Sequence, residues 1–170
     1  PIVGFGDWAE QLIAESTGKL GLGVLPVVLA TDSSELASAE TDLLVAKIYA
    51  EATEATGDEV AVSGALGAQF LLWEYATVVA SRLIGINPFD QPNVAEAKEA
   101  TNAVLASGAP SLPAATLEQV LLDVRAGDYI ALQAYVDPND PVVAELQELR
   151  LLLRDEHRVA TTFGIGPRFL

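Results

Sequence analysis

The chain has 170 residues, 51% of them hydrophobic, and 24 acidic against 9 basic side chains, for a formal net charge of −15. That is enough apolar material for one globular domain. The absence of cysteine rules out disulfides, thiolate metal centres and thiol nucleophiles, and a single histidine leaves little for a transition-metal site. The charge excludes nucleic acid as a partner, because phosphate-backbone binding calls for clustered Lys and Arg. A small phosphorylated ligand stays open, since exposed charges beyond roughly 8 Å are screened and local groups decide.

The longest apolar stretch, residues 69–86, carries Glu74 and Arg82 and falls short of the roughly twenty uninterrupted residues of a membrane span, so it reads as a buried helix. No targeting segment is visible, and a reducing, cytoplasmic setting is compatible with the composition. The sequence opens on Pro1 and stops at Leu170 directly after a strand-like run, which predicts a piece of a longer chain.

In chain order, residues 8–16 have helical spacing, with Trp8, Leu12 and Ile13 on one stripe and Gly18 as the stop. Residues 25–30, Leu-Pro-Val-Val-Leu-Ala, are continuous and β-branched, which predicts a short buried strand. Residues 32–57 read either way: Asp32 with Glu35 mimics a helix capping box, while residues 43–49 have the character of a strand. The Gly57-Asp58 turn leads into a strand over 59–63, and a long helix follows over about 67–83.

That helix delivers the chain into Ile86-Asn87-Pro88-Phe89-Asp90-Gln91-Pro92-Asn93. Pro88 and Pro92 fix two backbone angles and disfavour helix at the residues before them, so a new helix opens close to Asn93 with Lys98 between one and two turns into it. Residues 107–113 are punctuation rich in Ser, Gly and Pro, and Thr116 caps a short helix through Val124. Residues 128–136 read as a strand. A turn over 138–141 precedes an amphipathic helix over 142–154, with Val142, Leu146, Leu149 and Leu153 on its stripe, and residues 158–163 close as a strand. Strands alternating with helices imply an α/β layer with a mostly parallel sheet, in which ligands bind at the carboxyl ends of the strands.

Two stretches carry candidate chemistry. Glu15-Ser16-Thr17-Gly18-Lys19 puts a carboxylate at a helix end, followed by two hydroxyls and a glycine that lets the backbone turn away. Glu15 there either reaches into a cleft or is a solvated acid beside a glycine helix stop. The Gly18-Lys19 pair is not a phosphate-binding P-loop, because the glycine spacing and the following Ser or Thr are missing. In the second stretch, Asp90 and Gln91 either line a site or cap the helix after them, with Phe89 as an anchor in the core. Lys98 taken alone is a solvated helix-face residue. His157, flanked by charged residues at a helix end, is read as structural.

Together these residues carry a resemblance. The run Glu15-Ser16-Thr17-Gly18-Lys19 resembles the glutamate-serine-asparagine-glycine-lysine signature of the glucose-6-phosphate isomerase family. Phe89-Asp90-Gln91, then Val94 and Lys98, is similar to that family's phenylalanine-aspartate-glutamine stretch, with the valine and lysine at the same offsets. Between them, Leu66-Gly67-Ala68 through Trp73-Glu74-Tyr75 resembles the helix that leads into that loop. Thr161-Thr162-Phe163-Gly164 and Gly166-Pro167-Arg168-Phe169-Leu170 look like the isomerase half of bacterial transaldolase–isomerase fusions.

The resemblance implies a single, partial, three-layer sugar-isomerase (SIS) type domain over residues 1–170, α/β with a mostly parallel sheet flanked by helices. It implies interconversion of glucose 6-phosphate and fructose 6-phosphate without metal or organic cofactor. Moving a proton between C2 and C1 of an open-chain sugar needs one base that takes and returns it through an enediol, and a carboxylate serves when partial burial lifts it from its usual value of about 4.3. By motif, Glu15 is that base, Lys98 assists ring opening near the ring oxygen, and Gln91, with Ser16 and Thr17, contacts the substrate phosphate or hydroxyls. Glu15 and Lys98 are then expected to open onto one cleft.

The chain departs from the family at Thr17, where asparagine is usual, and in a shorter region between residues 30 and 64. No histidine for ring opening lies between the two motifs. The family's phosphate-binding serine and threonine loop and its enediolate-stabilising arginine belong to a second SIS domain, so the expected partners are that domain and a transaldolase domain, with room for an oligomer. The isolated chain is accordingly expected to be inactive. The competing readings are a non-catalytic phosphosugar-binding module and an assembly role within a larger enzyme, the latter marked by a large exposed apolar face.

Overall fold

In the computed structural model, which describes residues 4–37, 43–108 and 114–166, the helix over the first stripe is α1 (Phe5–Thr17). It is followed by a single 3-10 turn (Ser34–Ala37), β1 (Ala46–Tyr49), β2 (Val60–Ser63), α2 (Leu66–Ile84), α3 (Pro92–Ser107), α4 (Leu117–Leu122), β3 (Tyr129–Ala134), α5 (Val142–His157) and β4 (Ala160–Ile165). The backbone divides into two units, Pro1–Val94 and Ala95–Leu170. The architecture is mixed α/β. Its described strands form two parallel pairs, β1 with β2 in the first unit and β3 with β4 in the second.

In the amino-terminal unit, α1 packs on α2. The seam is nucleated by rings: Phe5 and Trp8 from α1 meet Phe70 of α2, with centroid separations of 5.3 Å (Phe5 to Trp8), 5.4 Å (Phe5 to Phe70) and 4.4 Å (Trp8 to Phe70). Such contacts contribute about 0.5–1.5 kcal/mol each beyond the area they bury. The side of α2 that is buried is polar, with Gln69, Thr77 and Ser81. Thr77 Oγ1 donates to the Trp73 carbonyl and Ser81 Oγ to the Thr77 carbonyl, both at 2.8 Å, so these hydroxyls are satisfied within their own helix. The opposite side, with Leu71, Leu72, Tyr75, Val79 and Leu83, is apolar and exposed.

The strand expected over residues 25–30 does not form; that segment has no regular structure. A strand needs a partner for its ladder, Pro26 removes one donor, and Val28 instead lies against the first turn of α1. A Cβ on Gly6 would sit 2.9 Å from Val28 Cγ1, so the glycine is what admits it. The ambiguous stretch 32–57 resolves into both readings in turn. Ser33 Oγ donates to Glu35 Oε2 at 2.6 Å at the short 3-10 turn, and β1 follows after residues outside the described set. Residues 109–113 and 167–170, part of the expected punctuation and of the carboxy-terminal resemblance, also lie outside the described residues.

The carboxy-terminal unit is a β-α-β crossover. Parallel strands cannot be joined by a tight hairpin, and here α5 makes the connection and packs on both β3 and β4. The register runs from Tyr129 opposite Ala160 to Ala134 opposite Ile165. Arg150 of α5, 4% exposed, pins the helix to β4: its guanidinium donates to the Thr161 carbonyl at 3.1 Å, and Thr161 Oγ1 donates back to the Arg150 carbonyl at 3.2 Å. Thr116 caps α4 as expected, through a full capping box with Gln119, and the helix ends at Leu122, short of the expected Val124.

Candidate functional site

The site is built at the end of α1. Gly18 stops the helix because the chain must turn there: a Cβ at this position would sit 2.7 Å from the Ala14 carbonyl oxygen. The chain then doubles back through a short bridge between Lys19 and Leu22, with Leu20 and Gly21 both in the left-handed region. Glu15, on the last turn of α1, is exposed, and its Oε1 accepts from Gln11 Nε2 at 2.9 Å. Ser16 is half-buried.

Thr17 is fully buried. Its Oγ1 donates to the Ile13 carbonyl at 2.8 Å and accepts from the Val24 amide at 3.1 Å. Both capacities of the hydroxyl are engaged inside the protein, so the substrate contact expected of Thr17 gives way to a structural role, pinning the returning chain against the helix end.

Lys19 is the residue that sequence reasoning passed over. Its side chain is 3% exposed, and its ammonium donates to the Asn87 carbonyl at 3.0 Å, to Asp90 Oδ1 at 3.1 Å and to the Asp90 carbonyl. An ammonium has three N–H donors, and each has an acceptor. The acceptors lie about seventy residues away in the chain, and they belong to the second candidate stretch. The two motifs singled out in the sequence therefore meet within the amino-terminal unit, held by one buried cation.

The loop that Lys19 grips is rigid on its own account. Gly85 in the left-handed conformation ends α2, the amide of Ile86 reaches back to the Ser81 carbonyl at 2.8 Å, and the Ile86 side chain is buried. Asn87 Oδ1 accepts from the Phe89 amide at 3.1 Å, an Asx turn of the kind Asn-Pro sequences favour. Phe89 is 81% exposed, which corrects its expected place as a core anchor. Gln91 is exposed next to Asp90, and its carbonyl accepts from the Val94 amide at 3.2 Å as α3 begins. Lys98 is exposed on α3 and belongs to the carboxy-terminal unit, whereas Glu15, Ser16, Thr17 and Gln91 belong to the amino-terminal one.

A second charged cluster stands at the start of β2. Glu59 pairs with Lys47 of β1, and its Oε1 accepts from Thr56 Oγ1 at 2.9 Å and the Thr56 amide at 3.2 Å. The Lys47 hydrogen bond, followed by those from Thr56, lowers the Glu59 carboxyl to about 2 and in turn raises Lys47 above its ordinary value. This cluster ties the strand ends together and shares no residue with the candidate site.

Among the described residues, no group of three or more His, Cys, Asp or Glu is placed to hold a metal ion, and no helix is long and apolar enough to cross a membrane. An open depression between α4 and β3, lined by Val120, Asp123, Val124, Gly127, Asp128 and Tyr129, contains none of the candidate residues. Neither protein-family models, nor curated proteins, nor solved structures contain a match to this chain.

Proposed function

We propose that this chain is the base-carrying part of an aldose–ketose isomerase that interconverts glucose 6-phosphate and fructose 6-phosphate. It is a partial, three-layer SIS-type domain, completed by a second SIS domain and, in a fusion, by a transaldolase domain, and it works in the cytoplasm without metal or organic cofactor. One observation supports the reading above the rest. Lys19 joins the Glu15-to-Lys19 segment to the Asn87-to-Gln91 loop, so the first stretch and the loop part of the second, both of which resemble one family's signature, are held together.

In this reading Glu15 removes the C2 proton of the open-chain sugar, holds it while the enediol forms, and returns it to C1, as the hydroxyl and carbonyl exchange places. Lys98, which stands at the offset of the family's lysine, is the residue assigned to assisting ring opening. Gln91 and Ser16 donate or accept hydrogen bonds at the sugar hydroxyls and phosphate. Glu15 is exposed, so the desolvation that makes a carboxylate an effective base comes from bound substrate and from the rest of the site.

In the natural full-length polypeptide, Glu15→Gln is expected to lower turnover by at least on the order of 10²–10⁴-fold while leaving sugar-phosphate affinity nearly unchanged. Retained turnover contradicts the assignment. The 170-residue chain alone is expected to show none in a coupled assay.

A second reading, an assembly role within a larger enzyme, is favoured by the exposed apolar side of α2. Sedimentation of the isolated chain across a concentration series tests it: a strictly monomeric chain argues against that role.

A further inference from the structure

We infer that Lys19 is a positioning residue for the isomerase reaction, a latch that holds the Asn87–Gln91 loop and the Glu15-bearing end of α1 as one rigid body; this rests on the isomerase reading above. Lysines in acidic proteins are ordinarily solvated, yet this one is buried, and the residues around it explain what it does. Two of its three acceptors are backbone carbonyls, those of Asn87 and Asp90, so it fixes the path of the loop backbone and does more than balance a charge. Its third acceptor, the Asp90 carboxylate, is 57% exposed and faces water as well. With three acceptors for three donors, Lys19 has no N–H left for a sugar phosphate, and this separates it from Lys98 and Gln91, which are exposed.

On the near side the latch is anchored by groups that leave no slack. Gly18 closes α1 onto Ala14, the Thr17 hydroxyl is bonded on both sides, and the Lys19 amide donates to the Thr17 carbonyl at 2.9 Å. Glu15 is one helical turn before Lys19, and Gln91 directly follows Asp90. A displacement of the loop relative to α1 therefore moves the amide of Gln91 against the carboxylate of Glu15. Catalysis by a positioned base is sensitive to shifts of about 1 Å.

The test uses the natural full-length polypeptide. Lys19→Met keeps the aliphatic stem and removes the donors. It is expected to lower kcat on the order of 10- to 100-fold with KM little changed, and to raise hydrogen exchange at the amides of residues 87–91. Asp90→Ala leaves both carbonyl acceptors and is expected to cost much less of kcat. A mere ion pair would show the opposite, with the two variants equally impaired, and that result overturns the latch. Should Lys19→Met not fold, Lys19→Arg carries the test. A guanidinium is larger than an ammonium and fixes its N–H groups in one plane, so the variant re-aims the loop and it too lowers kcat, and a Lys19→Arg variant with wild-type kcat overturns the proposal. Absence of turnover in the wild type overturns the isomerase reading itself, whereas wild-type turnover that survives Lys19→Met overturns the latch alone.

Discussion

Two lysine–carboxylate pairs in the amino-terminal unit look alike on paper and do different work. Lys47 and Glu59 are close in sequence, lie at the ends of neighbouring strands, and leave the lysine side chain 40% exposed. Lys19 and Asp90 are 71 residues apart, and the lysine side chain is 3% exposed. The first pair buries its carboxylate, Glu59 being 8% exposed, and mainly sets that group's charge state. The second also gives the cation two backbone carbonyls, so removing it costs the loop two backbone hydrogen bonds as well as an ion pair. A cation's worth to a fold follows from what is left behind when it goes.

That comparison can be broken by substitution. Lys19→Met should show the largest effect, a loss of about 2–4 kcal/mol, read by denaturant unfolding through Trp8 and Trp73, the chain's two tryptophans, both in the amino-terminal unit. Arg150→Met extends the test to the other unit, where a buried cation again serves a backbone carbonyl. It should cost about 2–3 kcal/mol, seen as faster amide exchange along β4. Thr17→Val, which keeps the shape and drops the hydroxyl, should cost about 1–2 kcal/mol. If Thr17→Val matches Lys19→Met, the pin on α1 matters as much as the latch, and the hierarchy drawn above is wrong.

The smallest effect belongs to the strand-end pair. Lys47→Met should lower the unfolding midpoint at neutral pH only modestly: the lysine is 40% exposed, and the Glu59 carboxylate keeps its hydrogen bonds from Thr56. Its signature is in pH. Glu59 has a folded value of about 2 against an ordinary 4.5, so the unfolded chain binds more protons between those values. The stability this group contributes is complete above about pH 4.5 and is lost as pH falls toward about 2. Glu59→Gln should flatten acid unfolding in that window, and added salt should flatten the wild type in the same direction.

Much of the fold was legible because it depends on neighbours in sequence. The glycine stop at Gly18, the cap at Thr116 and the Gly57 turn are each decided within a few residues, and α1, α4 and β2 follow them; α5 is also present, though Leu149 of its expected stripe is 40% exposed and Arg150 is buried. What was not legible depends on distant partners. The run 25–30 has strand composition but no neighbouring strand to pair with among the described residues. Phe89 has the side chain of an anchor and is exposed because the loop's rigidity comes from Asn87, Ile86 and Lys19 instead.

The candidate site divides in the same way. Glu15, Gln91 and Lys98 were named from local motifs and lie at the surface, and Ser16, named with them, is half-buried. Thr17, named with them, is buried and bonded to the Ile13 carbonyl and the Val24 amide. Lys19 was matched to the family signature and set against a phosphate-loop pattern but given no role; its signal, a lysine directly after a helix stop, acquires meaning only with the far end of the chain in place.

The central claim is that Glu15 moves a proton at C2 of a sugar phosphate. It is tested most directly by loss of tritium to water from glucose 6-phosphate labelled at C2, in the presence of the natural full-length protein. Exchange is expected with the wild type and none above background with Glu15→Gln, both proteins binding the sugar phosphate comparably. Exchange that persists in Glu15→Gln, or binding without any exchange in the wild type, contradicts it, and the latter result would leave a phosphosugar-binding module in its place.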